Sequence, residues 1–399
     1  MAGAQLIPDA YQAASSFLNP DPHAGLTTFR SLLIPMGGLS EGMGTAYTAV
    51  AKDSSYFEAN PAASSSLDYT ELAVYHNNWI ADTRIESAVY TIRWHDFGFG
   101  VGGKWLYLPF TAYDDFGGRT GTGYYSEAMT GFNVSYNFLP GYYFNGLAFG
   151  VTGKLAYRSV PVLKNIDTSG QNAVALMLDG GFLTRFNFLK LESWRGKNFS
   201  VGMAIKNVGP PVLGDPLPTV ASFGLGYSPY RAMVFSLDVS KPINLQNPAV
   251  SEGFAFAGGA LVDVTKFFRL QGGLLLKGGN PRISIGSSFD VELVRLSVNY
   301  TLDLTTQLTP LNRISVQASF LLGDLGRAEL AKKVDSLYLS GLEAYAQGNT
   351  ASAIALWTQA LEVDPTFDPA RESLRAAQGS ADLQATMESL QQLEPQNGK

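Results

Sequence analysis

The chain has 399 residues, with 28 lysines and arginines against 34 aspartates and glutamates, for a net charge of -6. An acidic chain has no surplus of cations to neutralise a phosphate backbone, which argues against nucleic-acid binding. With no cysteine it has no disulfide framework, no thiolate metal site and no cysteine nucleophile. Only 16% of residues are charged while 46% are hydrophobic, against about 25% charged in ordinary soluble domains. Yet no apolar run approaches the ~18 residues of a spanning helix. Few charges, 42 glycines and 12% aromatics point to a membrane β-barrel, in which each strand is apolar on one face only. Residues 327–399 are a different kind of protein, holding 16 of the 62 charges but 4 of the 42 glycines. The boundary falls near Gly326.

In chain order, Met1–Pro8 carries neither the charged region nor the apolar stretch of a signal peptide. Because a barrel must be exported, the numbering is expected to begin at a mature chain with Met1 added. Residues 1–36 are expected as an N-terminal periplasmic segment. In residues 37–67, Gly37, Gly38, Gly42 and Gly44 permit tight, close-packed backbone, and Thr45–Ala51 is a run of small side chains. The segment reads either as a plug inside something narrow or as an N-terminal loop.

From residue 68 the dominant signal is alternation. Phe199, Val201, Met203 and Ile205 point one way while Ser200, Gly202, Ala204 and Lys206 point the other. Val294, Leu296, Val298, Tyr300 and Leu302 likewise alternate with polar residues, as a period of two requires. Fourteen such segments are predicted, near 69–76, 84–94, 97–113, 123–138, 144–160, 171–187, 197–207, 218–228, 232–241, 253–265, 267–277, 281–289, 293–303 and 312–322. Many exceed the usual strand of about 5–6 residues and reach the ~9–11 that cross a bilayer. Connections after even-numbered strands, such as Trp94–Phe97, are mostly tight, and those after odd-numbered strands, such as Asn207–Pro218 and Lys241–Glu252, mostly long. Outer-membrane barrels have short periplasmic turns, and an even strand count leaves both barrel ends periplasmic. Trp79, Trp94, Trp105, Tyr107, Tyr142, Tyr143, Trp194, Tyr227 and Tyr230 fall at or near strand ends, where amphipathic rings favour the headgroup level. Lumen charges such as Lys154, Arg158, Lys206, Asp238, Arg295 and Asp303 are expected to pair inside the barrel.

Gly42-x-Gly44, the Ala46–Ala51 stretch, Asp53 and Asn60-Pro61-Ala62 resemble the N-terminal signature of FadL-type outer-membrane transporters. Residues 21–38, with Phe29-Arg30-Ser31-Leu32-Leu33-Ile34-Pro35, look closer to a spirochaete branch of that family, labelled an uncharacterised protein family. The resemblance is specific over 21–67, topological over 68–323, and does not extend to 327–399. It implies uptake of long-chain fatty acids or other hydrophobic small molecules through a 14-stranded barrel closed by an N-terminal hatch over 37–67. Gly42, Gly44, Asn60, Pro61 and Ala62 map to that hatch. It also implies a kinked third strand that opens the wall sideways. Here the kink and gate are expected at Gly102-Gly103, with Pro109 further on, since glycine weakens a strand and proline removes a ladder donor. Leu106, Leu108 and Phe110, which replace glycines on the inward face, are expected to line a hydrophobic ligand path.

From residue 325 the period changes to 3.6, predicting helices over 327–347, 350–362, 366–378 and 380–392. Gly341, Ala344-Tyr345, Gly348, Ala353-Ile354, Trp357, Ala360-Leu361 and Asp364-Pro365 resemble one tetratricopeptide (TPR) repeat. The expected packing residues are Gly341, Tyr345, Ala353, Trp357, Ala360 and Pro365. Such repeats usually bind proteins, so 327–399 is expected either to dock a periplasmic partner or to act as a stabilising cap. Gly98-x-Gly100-x-x-Gly103 fits a dinucleotide pattern but lies within a strand, and His23, His76 and His95 have no metal-ligand spacing. No catalytic residue, cofactor or metal is assigned. The leading expectation is outer-membrane transport of hydrophobic molecules; the other is a non-transporting FadL-related scaffold that docks partners through its helical tail and loops.

Overall fold

The computed structural model describes residues 19, 21–79, 82–161, 168, 170–192, 194–304 and 312–393. They fall into two compact units: residues up to Phe138 together with Gly146–Gly323, and Leu139–Asn145 together with Asp324 onward.

In the first unit two short helices, α1 Gly38–Gly42 and α2 Tyr56–Ala59, precede the strands. These are β1 Glu71–Asn78, β2 Arg84–Trp94, β3 Phe97–Tyr113, β4 Arg119–Phe138, β5 Phe144–Ser159, β6 Ala173–Phe186 and β7 Phe199–Val208. Then follow β8 Thr219–Tyr227, β9 Met233–Ile243, β10 Ala255–Asp263, β11 Phe268–Leu276, β12 Arg282–Val291, β13 Val294–Asp303 and β14 Arg313–Leu321. Among the described residues these fourteen strands form a closed barrel in sequence order, sealed by antiparallel pairing of β1 with β14. Each predicted segment matches one strand to within a few residues. The largest miss is the start of β4, at Arg119 rather than 123. Arg119–Gly123 reads Arg-Thr-Gly-Thr-Gly and has no apolar alternation, yet it pairs with Phe110–Tyr113 across the hairpin.

The two faces of the wall differ as the alternation demands. On β13, Leu296, Val298 and Tyr300 are 41–46% exposed on the outside, whereas Ser297, Asn299 and Thr301 are buried inside. Every strand repeats the pattern, so the barrel presents an apolar outer surface far beyond the patches of soluble monomers, on a closed ladder that leaves no edge unpaired. This is the construction of a membrane barrel.

Inside lies the N-terminal segment. Most of the largest fully buried side chains belong to it: Phe29, Met36, Leu39, Met43, Tyr47, Tyr56 and Phe57. The wall makes room by omitting side chains. A Cβ on Gly98 would strike the Ser64–Ser65 peptide, on Gly150 the Pro61 carbonyl, and on Gly202 that of Thr48. Of residues 1–36, expected as a periplasmic segment, 1–18 and 20 lie outside the described residues, and 21–36 bond to the loops. Thr28 N–H donates to Pro216 O at 3.0 Å, and Gly253 N–H to Asp21 Oδ2 at 2.6 Å. Both partners lie in long loops, at the mouth opposite the one where β1 begins and β14 ends. The local reason is the polar Asp21–Thr28 stretch, which finds its hydrogen-bond partners among those loops.

The third strand, where the kink was expected, keeps its register with β2 and β4 through Gly102 and Gly103, and the only shift on the β4 side comes between Ala112 and Tyr113. On its inner face Gly98, Gly100 and Gly102 meet the Ser64–Ser65 backbone, the Tyr56 hydroxyl and the Phe57 ring. Pro109 pairs with Tyr124 without interrupting the register.

The second unit contains α3 Arg327–Ala346, α4 Thr350–Val363 and α5 Asp368–Leu393. The expected break near 379 is absent, because one glycine costs a helix only about 1 kcal/mol and Gly379 touches nothing that would bend the chain. Trp357, Ala353, Ala360, Phe367, Ala370 and Ala377 form the buried core. The indole lies over Gly341, where a side chain would collide with it, and its Nε1 donates to Tyr338 O at 3.2 Å. Tyr345 stacks obliquely at 5.8 Å from the indole, and Pro365 follows the end of α4. Tyr142, from the β4–β5 connection, packs against Phe367 with ring centres 5.1 Å apart.

Asp324 accepts the N–H groups of Ala328 (2.7 Å) and Gly326 (3.0 Å) at the start of α3. The Ala328 bond is the main cause holding its carboxyl below the ordinary value. A carboxyl with a depressed folded value stabilises above its unfolded value and loses that contribution as pH falls through the folded one. The first turn of α3 is therefore expected to fray only in acid, and Asp324→Asn to remove that pH dependence, measured by amide hydrogen exchange at Arg327–Leu330.

Candidate functional site

The lumen is organised by polar contacts between the inner segment and the wall. Asn60 Nδ2 donates to Thr48 O (2.8 Å) and to Phe182 O on β6 (2.9 Å), while its Oδ1 accepts Ala62 N–H at 3.1 Å. Pro61, whose missing N–H costs nothing at the first position of a helical turn, gives its carbonyl to Asn133 Nδ2 at 3.0 Å. On another side of the wall, Gly42 packs against the Gln271 and Asn299 side chains, and Asn299 Nδ2 donates to Gly38 O at 3.0 Å. Gly44 has φ +63° and lies where a Cβ would sit 2.7 Å from the Leu274 nitrogen. Only glycine meets both demands. The five residues assigned to the hatch are thus buried against two different parts of the wall, the Gly42–Gly44 side on β11 and β13 and the Asn60–Ala62 side on β4, β5 and β6.

Charges bind the same segment. Glu41 on α1 pairs with Arg313 on β14 and accepts Thr301 Oγ1 at 3.0 Å. Glu58 on α2 receives Lys104 Nζ at 2.7 Å through one oxygen and Met36 N–H at 2.7 Å through the other. Asp238 on β9 accepts the N–H groups of Tyr47 (3.0 Å) and Thr48 (2.9 Å). Of the other lumen charges named from sequence, Lys154 pairs with Asp179 at 2.5 Å, Arg295 with Asp290 at 2.6 Å and Asp303 with Arg282 at 3.6 Å. Lys206 Nζ donates to Glu58 O at 3.0 Å, and Arg158 donates to Thr28 Oγ1 at 2.7 Å. Buried charges of this kind hold position because removing one partner strands the other.

Two of the cavities are lined by both Leu33 and Ile34. One, of about 390 Å³, opens at the loop mouth and is lined by Ile34, Trp79, Leu106, Leu108, Tyr125 and Leu275, with Arg30, Glu127, Lys277 and Arg282 as its charged members. Its volume is within the range of small-molecule sites, and an apolar lining with a few convergent polar groups is their usual composition. The other, of about 160 Å³, is more polar, lined by Glu41, Glu58, Lys154, Lys206 and Arg313 among others. Leu106 and Leu108, expected on a hydrophobic ligand path, line the mouth cavity. Phe110 does not line it, and lies against Gly123, beside Pro161. Sequence reasoning missed the contribution of Arg30–Ile34, whose one signal was the apolar run Leu32-Leu33-Ile34 in a segment otherwise rich in small and polar residues. It also missed Leu275, Lys277 and Arg282, which the barrel closure brings across the mouth from β3.

Comparison with known proteins follows this geometry. The chain is 30% identical over 370 residues to a UPF0164 protein of Treponema pallidum (strain Nichols), a match covering 89% of this chain and 84% of the relative. A second UPF0164 protein of the same organism is 26% identical over 370 residues, covering 87% and 74%. Among solved structures, the Pseudomonas putida toluene transporter TodX is similar at 12% identity and a TM-score of 0.49, over 71% of this chain and 96% of that one. The KdgM porin is similar at 9% identity and a TM-score of 0.31, over 63% and 98%. The model of the uncharacterised protein family UPF0164 matches residues 9–325, and the chain belongs to that family.

Proposed function

We propose that the barrel carries hydrophobic small molecules, long-chain fatty acids among them, across an outer membrane, with residues 37–67 as its plug. The observation that carries this reading is the mouth cavity of about 390 Å³, an apolar site built from Ile34, Trp79, Leu106, Leu108, Tyr125 and Leu275. The short connections at the end where β1 begins, such as 95–96 and 292–293, support a periplasmic position for that end. The mouth cavity then faces outward, where substrate arrives. Filling such a cavity transfers apolar surface from water at about 25 cal/mol per Å², enough to concentrate a sparingly soluble molecule without any energy source.

The test is passage of toluene and of oleate through purified barrel in lipid vesicles. Leu106→Asp places a carboxylate in the cavity wall and is expected to lower passage of both at least tenfold, about 1.4 kcal/mol. Leu106 is buried against Ile34 and Ile85, so Leu108→Asp, at a less buried position on the same cavity, gives the same readout with less risk to folding. Unchanged passage in both variants would remove the cavity as the path, and no passage through the unaltered barrel would refute the transport reading.

A second reading, partner docking by the helical unit, is supported by Leu339, Leu383, Met387 and Leu390, all more than half exposed on α3 and α5. Loss of a co-purifying protein on deletion of 327–399 would support docking, and an unchanged set of partners would leave the unit a stabilising cap.

A further inference from the structure

The mouth cavity carries three cations, Arg30, Lys277 and Arg282, against one carboxylate, Glu127. Taken alone, that lining invites an anionic ligand. The pairs made by the cations remove the invitation. Arg30 Nη1 lies 3.2 Å from Glu252 Oε1, and Lys277 Nζ lies 2.7 Å from Glu252 Oε2. Glu252 is not among the residues that line the cavity. It reaches both cations from the loop after β9 and is itself only 6% exposed. Arg282 in turn lies 3.6 Å from Asp303 on β13. With Glu127 included, three cations meet three carboxylates.

The loop that holds Glu252 is fastened on both sides of it. Its own carbonyl accepts Lys241 Nζ at 2.7 Å, Gly253 N–H after it goes to Asp21, and Ser251 Oγ before it accepts Asn244 N–H at 3.0 Å. A carboxylate tethered in this way stands at high effective concentration beside its cations. A ligand carboxylate entering the cavity gives up its water, which is costly without a partner, and finds Arg30 and Lys277 already engaged. An uncharged ligand meets no such cost.

We propose that Glu252 sets the specificity of the mouth cavity: by holding Arg30 and Lys277, it makes the site select uncharged apolar molecules over carboxylates of the same chain length. The proposal rests on the transport reading and adds to it the substrate class. Glu252 is a positioning residue, because it acts through the two cations and does not line the space a ligand fills.

Oleate and oleyl alcohol share one chain and differ at the head group. Calorimetric binding of each to the purified full-length barrel in lipid nanodiscs gives their affinity ratio, whereas damage to the cavity's shape lowers both affinities together. The unaltered chain is expected to bind the alcohol more tightly. Glu252→Gln leaves both cations without that carboxylate and is expected to shift the ratio toward oleate about tenfold, the effect of one hydrogen bond to a charged group. Glu252→Asp keeps the charge and is expected to stay near the unaltered ratio. Oleate bound as tightly as the alcohol by the unaltered chain overturns the proposal, an outcome that needs no variant to fold. An unmoved ratio in Glu252→Gln, or an equal shift in Glu252→Asp, overturns it too. Toluene passage through the unaltered barrel separates the two claims. Passage with an unmoved ratio removes Glu252 as the selector and leaves transport standing; a shifted ratio without passage keeps a discriminating site and removes transport.

Discussion

Glu41→Ala is expected to cost about 3–5 kcal/mol of barrel stability, the range for breaking a buried ion pair from one side, and to make the lumen leak. Glu41 is 1% and Arg313 4% exposed, so the guanidinium left behind has neither its carboxylate nor bulk water. Thr301 Oγ1 and Asn77 Nδ2 also lose the acceptor they share. The anchor lost is the one that ties α1 to β14, beside the seam that closes the barrel. Urea unfolding of the detergent-solubilised protein reads the stability, and single-channel recording reads the leak as larger and noisier conductance. Replacing both residues with methionine is expected to recover most of the stability, because no buried charge is then stranded. If Glu41→Ala alone were neutral, the pair would be no anchor, and the inner segment would be held by its packing.

Trp357→Ala is expected to destabilise the helical unit by about 3–5 kcal/mol, the usual range for truncating a buried indole. The ring is 1% exposed and closes over Gly341, with Ala353 and Ala360 on the same helix fully buried. A core of so few residues has little to spare, so the helical far-UV signal should melt early while the strand signal persists. Gly341→Leu tests the same contact from the other side, since its added side chain meets the indole. Retention of full helicity at room temperature in both variants would show that the core is not centred on this tryptophan.

The strands were legible because their side-chain period is local: Phe199 to Lys206 or Val294 to Asp303 declare a two-faced strand without reference to anything distant. The contents of the lumen were not. Nothing near Gly98, Gly100 and Gly102 in sequence reveals that Ser64, Tyr56 and Phe57 occupy the space beside them. Leu32-Leu33-Ile34 has neither helical nor strand period and so pointed to no element, although Ile34 packs between β2 and β3. Gly42 and Gly44 were singled out through resemblance, but their neighbours Gln271, Asn299 and Gly273 lie more than two hundred residues away, and only closure of the wall brings them near. The helical residues Gly341, Ala353, Trp357 and Ala360 were readable for the same reason as the strands: their spacing is set within one hairpin of helices.

The glycine-faced wall has a consequence for biogenesis. Where the inner segment touches β3, β5 and β7, the wall carries no side chain, and Asn60, Glu41 and Glu58 bond to several strands around the circumference. An empty cylinder with those gaps would have voids where a packed interior should be, and a finished one admits no entry for a segment already stitched on several sides. The N-terminal residues and the wall are therefore two halves of one interior, each expected to be stable only with the other.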